Sequence, residues 1–363
     1  TSGFDRHYGG EIKDFAPTEF LDEREVENLG RASQLAVGAA LLSLQDSRLS
    51  KRELSKANAG ICIGTTTGEA QIMEEIDAIW TNAGDKKVNV KLPFLYPCSI
   101  ISMSIAHELK LKGGMYLFSN ACAAGNYSIG YAFDLIKAGK SEIMFAGGAD
   151  AFSRVNLAGF SRLFAVAPEI CQPFDKNRKG MLVGEGAGVL VLEELNRALK
   201  RKSTIYAEVL GYGLACDAQH MTNASVEGIS RGIQKALKYS GVKPDEVDYI
   251  NAHGTGTPTN DGVECAAINK VFKKRRLPVS SIKSMLGHTM GAAAAIEAIA
   301  CCLTIKEGII PPTINYATPD PECDIDCVPN KARKQSVNIA LNNSQAFGGN
   351  NACLVLKRHI KPY

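Results

Sequence analysis

The chain has 363 residues, enough for one large domain or two ordinary ones. Hydrophobic residues make up 45%, charged residues 22% and aromatics 7%, which excludes a disordered or fibrous chain and predicts a soluble globular protein with an aliphatic, alanine-rich core. A formal net charge of +3 is too small to draw the chain to nucleic acid or an anionic membrane, and no apolar run approaches the ~18 residues of a membrane span.

Taken in chain order, a helical pattern over residues 35–45 precedes a short apolar strand, Ala59–Gly64, that ends in a Gly/Thr turn. A second strand, Met115–Phe118, runs through Ser119-Asn120-Ala121-Cys122 into a helix over 123–138. Strand patterns follow at 142–146 and 188–192, then at 205–210 and 247–250, with helices over 229–240 and 263–272. An alanine-rich helix over 292–306 and strands at 337–340 and 352–356 complete the chain. Strands alternating with helices of this size predict an α/β fold with largely buried sheets. The charged stretch 196–203 places a boundary near Lys200, giving halves 1–200 and 201–363. Each half has a strand that ends in a Gly/Thr-rich loop and enters a helix, at 61–69 and 249–264, a coarse internal symmetry. Lys273-Lys274-Arg275-Arg276 reads as a solvated helix end or as a docking patch for an acidic partner.

Eleven cysteines, an odd number with several inside apolar runs, argue against a disulfide framework and for a reducing cytoplasm. No C-x-x-C pair occurs, and Cys323 and Cys327 have no nearby histidine, so no metal is expected. Cys122 stands apart from the rest. Its strand–turn–helix setting puts the thiol at a helix N-terminus, where unpaired N–H groups and the dipole favour the thiolate and can hold an oxyanion. His253, in Asn251-Ala252-His253-Gly254-Thr255-Gly256-Thr257, and His288, before 291–295, lie in Gly-flanked loops where side chains are presented. With Cys122 they form a candidate nucleophile-and-base set. Lys283 lies five residues before His288, and Asp261 and Glu264 lie near the start of a helix, as dipole partners or as groups that orient Lys283. Gly184-Glu185-Gly186-Ala187-Gly188 leads into a strand rather than a helix, so it is no dinucleotide loop, and no cofactor is expected.

The segments 119–125 (SNACAAG), 251–261 (NAHGTGTPTND) and 281–295 (SIKSMLGHTMGAAAA) resemble the three active-site segments of β-ketoacyl-ACP synthases, and 173–192 and 311–331 match further family stretches in family order. The resemblance covers essentially the whole chain and is nearest to type II elongating synthases. It implies a thiolase-like fold of two pseudo-symmetric βαβαβαββ halves in an α/β/α/β/α core, and decarboxylative condensation of an acyl thioester with malonyl-ACP. By the same resemblance Cys122 is the acyl-accepting nucleophile, and His253 and His288 support decarboxylation. Lys283 orients the site with Glu264 as its partner, and Asp261 lends structural support. Thr255 and Thr257 bind the phosphopantetheine arm. Phe347 is the gating phenylalanine, its N–H joining that of Cys122 in the oxyanion hole, and Ile100 and Phe160 line the acyl pocket. The implied partners are an acyl carrier protein and a second copy of the chain, or a ketosynthase-like subunit in a heterodimer.

The chain departs from the family pattern in three places. The family's opening β-strand has no counterpart after Thr1, so it is expected to have been removed or to lie ahead of Thr1. The gate reads Ser344-Gln345-Ala346-Phe347-Gly348-Gly349, with a polar amide in place of an aromatic and alanine in place of glycine. The segment 165–171 is short. Two other readings remain: a CoA thiolase, which would need a second catalytic cysteine such as Cys353, and a non-catalytic chain-length partner, which would lack the nucleophile.

Overall fold

A computed structural model describes residues 3–273 and 275–360. In chain order, the first part carries α1 (Glu23–Glu27), α2 (Arg31–Ser47), α3 (Lys51–Lys56), β1 (Ala59–Gly64), α4 (Ala70–Ala83), α5 (Leu92–Leu95), α6 (Ser99–Leu109), β2 (Met115–Phe118), α7 (Ala124–Lys137), β3 (Ile143–Asp150), α8 (Arg154–Arg162), β4 (Gly186–Glu193) and α9 (Leu195–Lys200). The second carries β5 (Glu208–Cys216), α10 (Val226–Ser240), β6 (Tyr249–Asn251), α11 (Pro258–Phe272), β7 (Val279–Ser280), α12 (Lys283–Leu286), α13 (Ala293–Glu307), β8 (Ile309–Ile310), β9 (Arg333–Lys334), β10 (Ile339–Ala346) and β11 (Asn350–Lys357). The helix expected after residues 61–69 is α4, while α6 and α8 were not expected from the sequence.

The strands form two sheets of matching design. The first has the order β2-β1-β3-β4 and the second β5-β11-β10-β6-β7, with β8 and β9 as a separate ribbon. In each, three parallel strands end on an antiparallel one: β4 against β3, and β11 against β10. The second sheet adds β5, antiparallel to β11. Among the described residues β4 has no such neighbour, and its outer edge borders a groove of about 600 Å³ lined by Leu42, Phe133, Leu190 and Tyr206.

Side-chain alternation along the strands divides the core into layers. Ile61, Ile63 and Phe145 face outward and pack with Ala36 of α2 and Ile101 of α6. Cys62, Met144 and Ala146 face inward, onto Ile129 of α7 and Ala298 of α13. Those two helices also meet Ala340 and Leu354 of the second sheet, whose outer face packs Leu341 and Val355 under Ile233 of α10 and Ile268 of α11. The result is the expected α/β/α/β/α stack. Glycine makes the middle layer thin. A Cβ at Gly64 would lie 2.3 Å from the Ala124 carbonyl carbon, and one at Gly125 would lie 2.6 Å from Ala295 N. These two positions let the start of α7 touch both β1 and α13.

Candidate active site

Cys122 lies in a 3-10 turn, Ala121–Ala123, that runs directly into α7, with Ala121 at a strained φ of 47°. The helix N-terminal setting is thus as expected. The electrostatic consequence is not. Cys122 is 6% exposed, and burial pushes its thiol up to about 12 despite the attraction of Lys283. In the resting site desolvation outweighs the groups that favour the thiolate.

The His253 loop is held by two buried carboxylates of α11. Glu264 accepts from the N–H groups of His253 and Gly254, both at 2.8 Å. Asp261 accepts from Thr255 N and Gly256 N at 3.1 Å and from Phe174 N at 2.8 Å. Thr257 caps α11, and its hydroxyl lies 2.9 Å from that of Thr255. Asp261 thereby ties the Thr255–Gly256 turn to Phe174.

The expected Lys283–Glu264 pair is not formed. The Lys283 ammonium pairs with Glu297 of α13 and donates to the His253 carbonyl at 2.7 Å, while both oxygens of Glu264 are taken up by the His253–Gly254 backbone. Burial raises the Glu297 carboxyl to about 7, with Lys283 opposing. Sequence reasoning passed over Glu297, although a lone acid inside an apolar helix signals a buried partner.

Both imidazoles are buried and in edge contact, with ring centroids 5.4 Å apart at 85°. His288 sits in a bridge to Val183, donating its N–H to Leu182 O at 2.7 Å, and its Nδ1 accepts from Met290 N at 3.1 Å. The His253 Nδ1 faces the Lys283 ammonium at 3.4 Å. With Nδ1 an acceptor in each ring, the proton is assigned to Nε2. Burial and then Lys283 hold both pKa values well below the usual histidine range. The pair is neutral at pH 7 and presents two N–H donors.

Two further groups escaped the sequence reading. Asp150, at the end of β3, accepts from Thr65 Oγ1, Thr66 N, Thr67 N and Gly291 N at 2.7–3.0 Å, tying the β1 loop to the turn after His288. Arg178 donates to the carbonyls of Thr257 and Pro258 at 3.2 Å and pairs with Asp320, anchoring the start of α11.

At the pocket, Phe160 and Phe347 meet with centroids 5.6 Å apart, inside a cluster that includes Met181, Val183 and Met290. Ile100, on α6, packs into the cluster under α2 and β1. Ala346 takes φ −147° and ψ 156°, extended backbone open to any residue, so the loop in this state makes no use of glycine's freedom there. Gln345 is buried and donates to Glu264 at 3.2 Å rather than lining the pocket.

The basic cluster lies at the far end of α11. Arg275 donates to the carbonyls of Pro244 and Asp245 and Arg276 pairs with Asp324; Lys274 lies outside the described residues. The 15 residues of α11 put about 22 Å between this end and Thr257. Cys353, the second cysteine a thiolase would need, is buried in β11 opposite Asn343 and Gly213, in the core under α10 and α11.

A fold of two stacked sheets around shared helices, with a cysteine at a helix N-terminus and a contacting pair of histidines, all three within the field of the Lys283 charge, defines a thiolase-like condensing enzyme. The chain belongs to the β-ketoacyl synthase family: the model for the beta-ketoacyl synthase N-terminal domain matches residues 5–198, and that for the C-terminal domain residues 206–317. It is 41% identical to a 3-oxoacyl-[acyl-carrier-protein] synthase 2 of Synechocystis sp., over 97% of this chain and 87% of that protein. Among solved structures it is similar to the ishigamide ketosynthase/chain length factor, with a TM-score of 0.97 and 44% identity over 99% of this chain and 90% of that one. It is also similar to a type II PKS acyl-carrier protein in complex with its ketosynthase bound to the hexaketide, with a TM-score of 0.91 and 31% identity over 99% of this chain and 89% of that one. The protein is a condensing acyltransferase. Among the described residues no helix is long and apolar enough to cross a membrane.

Proposed function

We propose that the protein joins an acyl group carried on Cys122 to the carbanion formed from malonyl-ACP. The observation that carries these roles is the pair of buried imidazoles in edge contact, each with Nδ1 engaged, which leaves Nε2–H to donate. In the first half-reaction the Cys122 sulfur attacks the acyl-ACP thioester carbonyl. The carbon–sulfur bond to the carrier breaks, and the carrier thiol leaves with the proton that Cys122 gives up. The N–H groups of Cys122 and Phe347 are suited to the transient oxyanion. In the second, the malonyl carboxylate leaves as CO₂ and its bonding electrons pass into an enolate on the thioester. Two N–H donors stabilise that oxygen without adding a charge that would raise the cost of burial. The enolate carbon then attacks the acyl–Cys122 carbonyl, the Cys122 sulfur leaves and takes a proton, and 3-oxoacyl-ACP departs.

Lys283, fixed by Glu297, holds the His253 tautomer, and Glu264 and Asp261 hold the loop. Thr255 and Thr257 lie where the pantetheine arm would pass, and Phe160 and Phe347 close the acyl pocket, with Ile100 contributing from α6. Residues 1–200 supply the nucleophile and 201–363 both histidines, so both halves are needed. An acyl carrier protein is the partner, and a second copy completes a dimer in the cytoplasm. A second reading, the catalytic half of a ketosynthase/chain-length-factor pair, is favoured by the likeness to the ishigamide proteins. Mass spectrometry of the acyl group trapped on Cys122, alone and with such a subunit, tests both. His288→Ala is expected to accept the acyl group yet decarboxylate malonyl-ACP about 10²–10⁴-fold more slowly, and near wild-type decarboxylation would refute the assignment.

A further inference from the structure

Strand β10 sends alternate side chains to the two faces of its sheet. Ile339 and Leu341 join the outer core beside α10 and α11, and Ala340 joins the layer between the sheets. Asn343 and Gln345 continue the outer set, and there both amides converge on one atom of α11. Asn343 Nδ2 donates to Glu264 Oε1 at 2.9 Å and Gln345 Nε2 donates to the same oxygen at 3.2 Å. That oxygen also accepts His253 N–H at 2.8 Å, and its neighbour Oε2 accepts Gly254 N–H at 2.8 Å. Two residues beyond Gln345, Phe347 packs on Phe160.

Gln345 is 3% exposed, and its Oε1 has no partner among the described residues. A buried amide ordinarily pairs at both ends. If packing were its whole task, methionine or leucine would fill the space without an idle oxygen. What the position uses is the donor, and the donor's target is the carboxylate that orients a reacting histidine.

We infer that Gln345 is a positioning residue that links the root of the Phe347 loop to His253 through Glu264; this deepens the condensing reaction proposed above and rests on it. The two amides pin Glu264 Oε1 from the β10 side while the His253 and Gly254 N–H groups pin the carboxylate from the other. Without the Gln345 donor the carboxylate gains freedom to turn, and the His253 backbone turns with it. The effect falls on decarboxylation, where the His253 Nε2–H meets the enolate, and not on acylation of Cys122.

The test uses Gln345→Met, which keeps the volume and removes the donor, and Gln345→Glu, which supplies a donor only when protonated. Malonyl-ACP decarboxylation and acyl transfer to Cys122 are measured from about pH 5.5 to 8.5, with hydrogen exchange of the peptide spanning residues 252–257. Gln345→Met is expected to lower the decarboxylation kcat about tenfold at every pH, the scale of one hydrogen bond to a charged group. Its KM and its acylation of Cys122 stay at wild-type levels, and exchange in 252–257 quickens. Gln345→Glu places two carboxyls against one another, so one takes up a proton readily. It is expected to approach the wild-type rate at the acid end and to fall below it as pH rises. A Gln345→Glu profile that overlays wild type overturns the inference and decides the matter alone if Gln345→Met does not fold. Equal loss of acylation and decarboxylation in Gln345→Met also overturns it. A wild-type protein that does not decarboxylate malonyl-ACP defeats the condensing reading instead, and the exchange result then still reports whether Gln345 holds the His253 loop.

Discussion

At Cys122 three influences compete: burial, the start of α7, and the charges of Lys283 and Asp150. Burial prevails and holds the thiol neutral, so the thiolate fraction at pH 7 is small and grows about tenfold per pH unit. Site-resolved alkylation of Cys122 is therefore expected to climb log-linearly from pH 7 to pH 9 without a plateau. A plateau below pH 8 would show a resident thiolate. Cys122→Ala, losing one buried sulfur, is expected to fold, to decarboxylate malonyl-ACP and to form no acyl-enzyme. Acyl loading at another cysteine in that variant would refute the assignment. At this scale much was legible in the sequence. Cys122, His253 and His288 each stand at a strand or loop end beside glycine or a helix start, and such settings are written locally. Glu297 was not legible as the partner of Lys283, because it lies 14 residues on and across a turn whose path no periodicity encodes.

Between elements, the Lys283–Glu297 pair clamps α12 to α13 and so fixes the approach to His288. Both groups are buried, and breaking such a pair is costlier than replacing it. Lys283→Met is expected to destabilise the protein by about 3–5 kcal/mol and to abolish decarboxylation. Lys283→Met with Glu297→Leu is expected to recover most of the stability and none of the activity. The pH dependence follows from the raised Glu297 carboxyl. Its folded value of about 7 exceeds the ordinary 4.5, so the folded protein binds more protons and loses stability as pH rises through that window. Removing Lys283 removes the opposing attraction and extends the loss above pH 7. Urea titrations of the single variant at pH 6 and pH 8 check this: a smaller penalty at pH 8 than at pH 6 would contradict it. Helix α11 places a second constraint on partners. Its N-terminal end carries Thr257 and its C-terminal end the basic cluster, about 22 Å away along the helix, so Arg275 and Arg276 serve local carbonyls and Asp324. Reversing both charges is expected to leave the carrier affinity and its salt slope within twofold of wild type, measured by titration at two ionic strengths.

The whole molecule turns on its middle layer. Helices α7 and α13 face a sheet on either side, which is why α13 reads as apolar almost all round until Lys306 and Glu307. That run was readable as a buried helix, and the alternation of strands and helices was enough for the α/β stack. The sheet partners were not readable, since β10 pairs with β6 across some 90 residues of chain and register depends on neighbours distant in sequence. Helix α6 escaped for a related reason. Its burial gains definition only once β1 and β2, which it covers, exist. The buried amides of Asn126, Asn251 and Asn342 knit α7 to β6 and β10, with Asn342 also reaching the Ala294 carbonyl at 2.7 Å. Two halves that share a helical layer and a polar network have little structure to keep if either opens. Unfolding is therefore expected to be one transition, although two family domains meet in the chain. Ile129→Ala removes a buried side chain from α7 at a cost of about 2–5 kcal/mol. Under native conditions it should quicken hydrogen exchange in β1 and in β10 by the same factor, because both report the same global opening. Exchange that quickens in β1 alone, or a second calorimetric transition, would show that the halves unfold separately and that the middle layer belongs to only one of them.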